Sequence, residues 1–257
     1  MSAGAAASPQ GKKALRKQIE ASLRYRILRR LFPQRPQGVQ IGGRSIIVRP
    51  GTTDLKVAIE SLGEEFTPVA GILAPDTDGL IIDAGGYIGT AAIKLSEMFP
   101  RATIVSVEAS SANFAILSRN VARYRNIHPV HAALVAEPSR PLALRDRGTG
   151  NWGFTTVAKT ADKTDSSVIE RVSACTLPEL CDSFSAARIA FLKLDIEGAE
   201  KSLFDGDPDI SGMELVDALM VELHDRILPG CYESLHRFAQ GRAIQQTTGE
   251  KFLLRCT

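Results

Sequence analysis

The chain has no run of about 18 consecutive apolar residues, and its opening stretch, MSAGAAASPQGKK, lacks the apolar core of a secretory signal. Both absences argue against a membrane span and against export by that route. The four cysteines, Cys175, Cys181, Cys231 and Cys256, have neither C-x-x-C spacing nor a histidine at zinc-ligand spacing, so reduced thiols in a cytoplasmic setting are the expectation. No internal repeat is visible, and no low-complexity segment follows the N-terminus. A basic folded body is missing too. Net charge is +2, yet residues 1–40 hold nine Lys or Arg against the single acid Glu20, which leaves residues 41–257 six units acidic. A nucleic-acid groove needs its positive charge on the folded body, so nucleic acid is not an expected partner.

What is present fits one large α/β domain, residues 41–257, with a basic N-terminal arm, residues 1–40. Residues 1–11 are small and polar and are expected to lack structure. Residues 12–32 place Leu15, Ile19, Leu23, Ile27 and Leu31 at four-residue spacing, which predicts one helix ended by Pro33 and Pro36. That spacing drifts around a 3.6-residue helix and smears its apolar face, which favours a solvated arm or one packed on a partner subunit. The other reading is a basic amphipathic helix lying on an anionic membrane, which would place the protein at the inner membrane face.

From Gly43 short apolar runs alternate with turn residues. Strands are expected at SIIVRP, LIIDA, TIVSVEA, His128–His131, near residue 168, RIAFLKLD and VDALMVELH. Helices are expected near 89–99, 111–124, after Gly198 and over 228–240, and two strands close the chain around Thr248-Gly249. Alternating strand and helix predicts a doubly wound, mostly parallel sheet, with the final hairpin as an antiparallel edge.

Within that pattern LIIDAGGYIG sets Asp83, Gly85, Gly86 and Gly89 at a strand-to-helix junction, and Glu108 ends the next strand. Glycines there allow a sharp turn and a close ligand, and an acid at that place accepts hydrogen bonds from ribose hydroxyls. The register is D-x-G-G-x-x-G rather than G-x-G-x-x-G, which argues against a nicotinamide dinucleotide. A carboxylate beside the turn repels a pyrophosphate and suits a cationic nucleoside such as S-adenosylmethionine.

Together with LKLDIEGAE (192–200), these motifs resemble the FkbM family of S-adenosylmethionine-dependent methyltransferases over about residues 45–225. VRPGTTDLKV is similar to the family's opening segment, VEASSANFAILSRNV to its acid-plus-helix block, and VELH to its strand-end motif. Gly86-Tyr87 stand where Ala-Asn is more usual, and Ala109-Ser110 where a proline commonly follows the acid. The resemblance implies a class I methyltransferase fold, a seven-stranded Rossmann-like sheet with an antiparallel last strand, acting on oxygen of sugars, glycoconjugates or related hydroxylated metabolites. It also implies S-adenosylmethionine contacts at Asp83, Gly85, Gly86, Tyr87, Gly89, Glu108, Ala109, Ala133 and Asp195.

The charged strand end would then border the methyl-transfer site. Period-two alternation places Phe191, Lys193 and Asp195 on one face, and Glu222 with His224 share a face. His224 is the expected general base, because its ordinary pKa of about 6.5 suits neutral pH, with Asp195 orienting the substrate or the cofactor's methionine end. A strand-end histidine satisfied by backbone or solvent is the plainer reading. Glu197 either caps the following helix or points into the pocket, Lys193 is expected to pair with a carboxylate, such as Glu222, on the neighbouring strand, and Glu200 to serve the helix dipole. A divalent metal on Asp195, Glu222 and His224 stays open. The stretch Asn151–Val157, with the only tryptophan, is expected to shape the acceptor pocket. The alternatives are methylation of nitrogen or another nucleophile and a non-catalytic S-adenosylmethionine-binding module; the acceptor and the oligomeric state are not legible.

Overall fold

The computed structural model describes residues 9–138, 141–148, 150–151, 153–158 and 167–256. Seven strands form the main sheet in the order β12 (Ile244–Gln246), β13 (Lys251–Arg255), β11 (Ala218–Glu222), β10 (Ile189–Leu194), β3 (Leu80–Ala84), β4 (Thr103–Glu108), β5 (Ile127–His131). The five strands from β11 to β5 are parallel, whereas β13 pairs antiparallel with both β11 and β12. This is the mostly parallel α/β sheet with an antiparallel edge that the alternating pattern predicts. Chain order reverses between β3 and β10, and there the crevice opens at the strands' carboxyl ends.

Alternation along the central strands builds two cores. Ile81, Phe191 and Met220 point to one face, covered by α3 (Asp54–Ser61), α4 (Thr90–Met98) and α5 (Ser111–Val121). Leu80, Ile82, Leu192, Leu194 and Val221 point to the other, covered by α6 (Leu177–Ser183), α7 (Glu200–Asp205) with the short α8 (Pro208–Ser211) beside it, and α9 (Cys231–Ala239). Strands buried on both faces read as continuous apolar runs, which is why β3 and β10 stand out in the sequence.

Two segments differ from expectation. The segment preceding the crevice strands holds a hairpin, β1 (Gln37–Ile41) with β2 (Arg44–Val48), of which only the second strand is evident from sequence. The irregular middle contains the strand expected near residue 168, β8 (Ser167–Val172), but also three that were not expected: its partner β7 (Leu142–Asp146), and β6 (Ala133–Leu134) paired with β9 (Ala174–Cys175). These strands are short or half-exposed, and such strands give weak periodicity. Trp152 lies outside the described residues.

The arm also differs. Instead of one helix over 12–32 there are two, α1 (Pro9–Ala21) and α2 (Leu23–Leu31), so residues 9–11 are helical. Ser22 interrupts the run with extended backbone, and its side chain accepts from the Tyr25 N–H as an N-cap. Leu15 and Ile19 pack on the body, whereas Tyr25 is the buried anchor of α2, its hydroxyl donating to the Pro50 carbonyl at 3.4 Å. A helix end near Pro33 holds as expected.

At the β3–α4 turn Gly85 has φ +81, and a Cβ there would lie 1.8 Å from the carbonyl oxygen of Asp195. Gly71, by contrast, has an ordinary φ and nothing within 4 Å of a built Cβ. Gly85→Ala should therefore lower unfolding free energy by more than about 3 kcal/mol in urea melts, whereas Gly71→Ala should change it by less than about 0.5 kcal/mol. Equal small effects at the two positions would contradict this account of the turn.

Candidate functional site

A cavity of about 400 Å³ opens where β3, β4, β10 and β11 end. Its floor is the glycine turn. There the N–H groups of Gly85 and Gly86 donate to the Val107 carbonyl, at 3.0 and 2.8 Å, which ties the turn to the neighbouring strand.

One half of the cavity is suited to a nucleoside. Glu108, 8% exposed, accepts from the Tyr87 N–H and the Ser110 N–H, each at 2.8 Å, and from the Asn113 amide at 3.3 Å. Burial pushes its carboxyl up to about 7, with the Ser110, Tyr87 and Asn113 donors and Lys193 pulling the other way. A carboxylate has about four acceptor sites, so these three donors leave room for a ligand hydroxyl, whose donation would favour the ionised form. Beside Glu108 the wall is small and apolar, with Ala109, Ala133, Leu134, Leu144 and Phe154.

Tyr87, at φ +50, follows the two glycines of the turn. Its hydroxyl donates to Asp54, which Arg49 grips through both oxygens at 2.9 and 3.0 Å; Arg49 also donates to Asn113 at 2.8 Å. The Asn113 amide in turn donates to the Asn151 carbonyl at 2.8 Å, drawing the middle segment over the cavity. Arg49 and Asp54 are fully enclosed and hold the turn from behind. Sequence reasoning missed this role, although an Arg–Pro pair after a buried strand with an acid five residues on was a readable signal.

The other half is strongly polar. It is lined by Lys56, Glu60, Glu65, Lys193, Asp195, Glu197, Glu222, Arg226 and Lys251, of which only Lys193, Asp195, Glu197 and Glu222 had been singled out. Lys193 sits opposite Asp83 in the β10–β3 register, and its ammonium lies 3.3 Å from Asp83, 3.4 Å from Asp195 and 2.9 Å from the Gly85 carbonyl it donates to. The expected carboxylate of a neighbouring strand is thus Asp83 on β3, not Glu222, which lies 3.2 Å from Lys251 instead. Burial acts to lower the Lys193 pKa, but Asp195 and Asp83 outweigh it and raise it, so the ammonium keeps its proton. Burial likewise opposes ionisation of Asp195, yet Lys193 and His224 hold its carboxyl below the ordinary range.

Asp83 itself is 0% exposed and does not line the cavity. It accepts from Ser106 at 2.8 Å and balances Lys193, so its expected cofactor contact is replaced by a supporting role beneath the turn. Gly89, at φ +83, likewise lies off the cavity and packs against Leu117 and Val121 of α5. Gly85, Gly86, Tyr87, Glu108, Ala109, Ala133 and Asp195 all line it.

Glu197 lines the polar half at φ +54, with Arg147 3.1 Å from Oε2 and the Thr155 hydroxyl donating to its carbonyl at 2.6 Å. Burial lifts its carboxyl to about 7, against the charge of His224. It does not cap the next helix. Glu200, the first residue of that helix and 0% exposed, instead braces the loop before it: it accepts from the Ile196 and Gly198 N–H groups at 3.0 and 2.9 Å and from His224 Nδ1 at 2.8 Å. It stands in the first turn of the helix, as expected for a dipole partner, and is in addition a buried hydrogen-bonded anchor.

His224 is 1% exposed and does not line the cavity. Its Nε2 faces Asp195 at 3.7 Å and Glu197 at 3.6 Å. Burial alone would lower its pKa, but the bond and charge of Glu200, with Glu197 and Asp195, raise it to about 9. An imidazolium at neutral pH has no free nitrogen to take a proton, so this placement does not suit the base role expected of His224. One ligand atom each from Asp195, Glu197 and His224 falls within 4.8 Å of the others, a set that fits a divalent cation with Glu197 in place of the expected Glu222.

All four cysteines are free. Among the described residues no helix is long and apolar enough to cross a membrane.

Comparison with known proteins follows the same lines. The chain is 27% identical over 168 residues to Methyltransferase 1 of Beauveria bassiana, covering 59% of this chain and 66% of that protein, so it spans just under two thirds of that relative's length. Similar solved structures include a precorrin-6y C5,15-methyltransferase from Geobacter metallireducens, at 12% identity and TM-score 0.41 over 79% of this chain and 86% of that one. Another is Aeropyrum pernix fibrillarin with natively bound S-adenosyl-L-methionine, at 13% identity and TM-score 0.41 over 71% and 67%. The pattern of the methyltransferase FkbM domain matches residues 83–239, from the glycine turn through α9 and more than half of the chain, and the protein therefore belongs to the FkbM methyltransferase family.

Proposed function

We propose that the chain transfers a methyl group from S-adenosylmethionine to a hydroxyl oxygen of a sugar, glycoconjugate or similarly hydroxylated molecule. The observation that carries this reading is one continuous cavity that joins a ribose seat, Glu108 with its small apolar wall, to a polar half centred on Asp195 and Glu197. In this reading adenine lies against Ala109, Ala133 and Leu134, the ribose hydroxyls donate to Glu108, and the methionine end runs over Gly85 and Gly86 toward Asp195, whose negative charge suits an ammonium.

Transfer is an in-line displacement. The acceptor oxygen attacks the methyl carbon, the carbon–sulfur bond breaks with its electron pair passing to sulfur, and the hydroxyl proton leaves to a base. Glu197 fits that base better than His224: it lines the cavity, and a carboxyl near 7 can hold the proton and release it again. Asp195 is the poorer base because Lys193 keeps it ionised too strongly, so it orients instead. His224 then acts as a positioning residue behind both carboxylates. The charges along the polar half, Lys56, Glu60, Glu65 and Lys251 among them, offer donors and acceptors to a many-hydroxyl acceptor and favour it over an apolar one.

A second reading rests on the same trio. A divalent cation on Asp195, Glu197 and His224 would replace the proton of His224 and supply Lewis-acid polarisation of the acceptor oxygen. Glu200, bonded to Nδ1, orients the ring as such a ligand requires. Titration calorimetry with MnCl2 separates the two: stoichiometric binding abolished by His224→Ala supports the cation, and no heat supports the proton.

Four outcomes test the main reading. Tritiated methyl from S-adenosylmethionine should appear in polysaccharide or glycolipid fractions; label confined to protein or nucleic acid would overturn the acceptor class. Glu108→Ala should raise the dissociation constant for S-adenosylmethionine about 30-fold, since a buried seat for two hydroxyls is lost; an unaltered constant would remove Glu108 from the ribose. Because a base must be deprotonated to act, kcat/KM should fall as pH drops below about 7, where the Glu197 carboxyl gains its proton. Glu197→Gln should cut turnover by about 100-fold or more with cofactor affinity kept, and full activity in that variant would return the role to another group.

A further inference from the structure

The arm carries a surface that the methyl-transfer site does not use. Up to Ile19 its apolar row is partly buried on the body, but beyond the break at Ser22 the same row faces solvent: Leu23 is 71% exposed, Ile27 46%, Leu31 61% and Phe32 50%. At 100° per residue Leu23, Ile27 and Leu31 fall within about 80° of arc and extend along about 12 Å of helix. Arg26 and Arg30 flank that stripe on one side and Arg24 on the other. These arginines and Arg29 are exposed, none forms an ion pair with a described residue, and residues 22–35 contain no acid at all. The only acid in the arm, Glu20, is already paired with Arg16 at 2.9 Å.

We propose that α2 docks on the surface of an anionic lipid bilayer, Leu23, Ile27, Leu31 and Phe32 entering the acyl boundary while the flanking arginines meet lipid phosphates. Charge and size choose this occupant. A narrow stripe of three or four side chains is far below the roughly 800 Å² per partner that a stable protein interface buries, whereas interfacial helices bind through just such a stripe plus cationic flanks. Tyr25 and the N–H of Gly51, which donates to Pro33 at 2.8 Å, pin the helix to the body, so docking needs no unfolding. The helix also stands beside the cavity. Arg16, Glu20 and Arg29 line a shallow cleft with Thr53, Lys56 and Asn151, and the last three line the main cavity as well. Docking would thus hold the protein at a lipid surface, where lipid-borne hydroxyl acceptors are concentrated; that consequence rests on the proposed function, the docking itself does not.

The test is flotation of the full chain with vesicles of phosphatidylcholine alone and with about one third phosphatidylglycerol. The protein should float with the anionic vesicles, float little with the neutral ones, and be released by high salt. Ile27→Glu with Leu31→Glu, both at exposed positions, should lower the partition coefficient about tenfold or more while leaving the melting temperature and circular dichroism unchanged. Three results would overturn the proposal: no flotation with anionic vesicles, flotation unaffected by the double substitution, or a lipid-free dimer in sedimentation velocity that the double substitution dissolves.

Discussion

The Lys193 ammonium is the interaction on which the crevice depends. It is buried at the carboxyl end of β10, opposite Asp83 in register, and it meets Asp83, Asp195 and the Gly85 carbonyl together. A charge taken out of water is costly unless it is paired and hydrogen-bonded on every side. Satisfying it brings three pieces of chain to one point: the end of β3, the glycine turn and the end of β10. The same contact holds Asp195 ionised at the mouth of the cavity. Loss of the ammonium would leave the enclosed Asp83 carboxyl without its counter-charge and the Gly85 carbonyl without its donor, which would loosen the turn and the cavity floor.

Around that point the polar residues divide by depth. Asp83, Arg49, Asp54 and Glu200 are enclosed and hold backbone or other side chains, whereas Glu108, Asp195 and Glu197 keep one face to the cavity. His224 belongs with the first group. Its ring is clasped by Glu200 and faces two further acids, so it holds the carboxylates in place. A buried histidine among three carboxylates can be expected to be charged, and the geometry decides this more securely than the residue type does.

The fold was largely legible because buried parallel strands such as LIIDA and IAFLKL are continuous apolar runs, and because the glycines and Glu108 stand at strand ends where ligands gather. Partners across the sheet were not. Lys193 has a neighbour on each side, β3 and β11, and strand alternation alone could not choose Asp83 over Glu222. Nor could it show that His224, two residues past the end of β11, turns inward behind the cavity wall. The arm failed for a related reason: an even four-residue spacing looked like one helix, but Ser22 caps a second one and so parts a row that packs from a row that faces water. Arg147, just past the end of β7, left no periodic signal, and its place beside Glu197 emerges only from the fold.

The central claim is that this crevice, with a carboxylate network in place of a phosphate cradle, receives a cationic nucleoside. Titration calorimetry of the intact chain with S-adenosylmethionine and, separately, with nicotinamide adenine dinucleotide tests it most directly. The account predicts one-to-one binding of S-adenosylmethionine and no measurable heat with the dinucleotide. Binding of the dinucleotide with none of S-adenosylmethionine would contradict it.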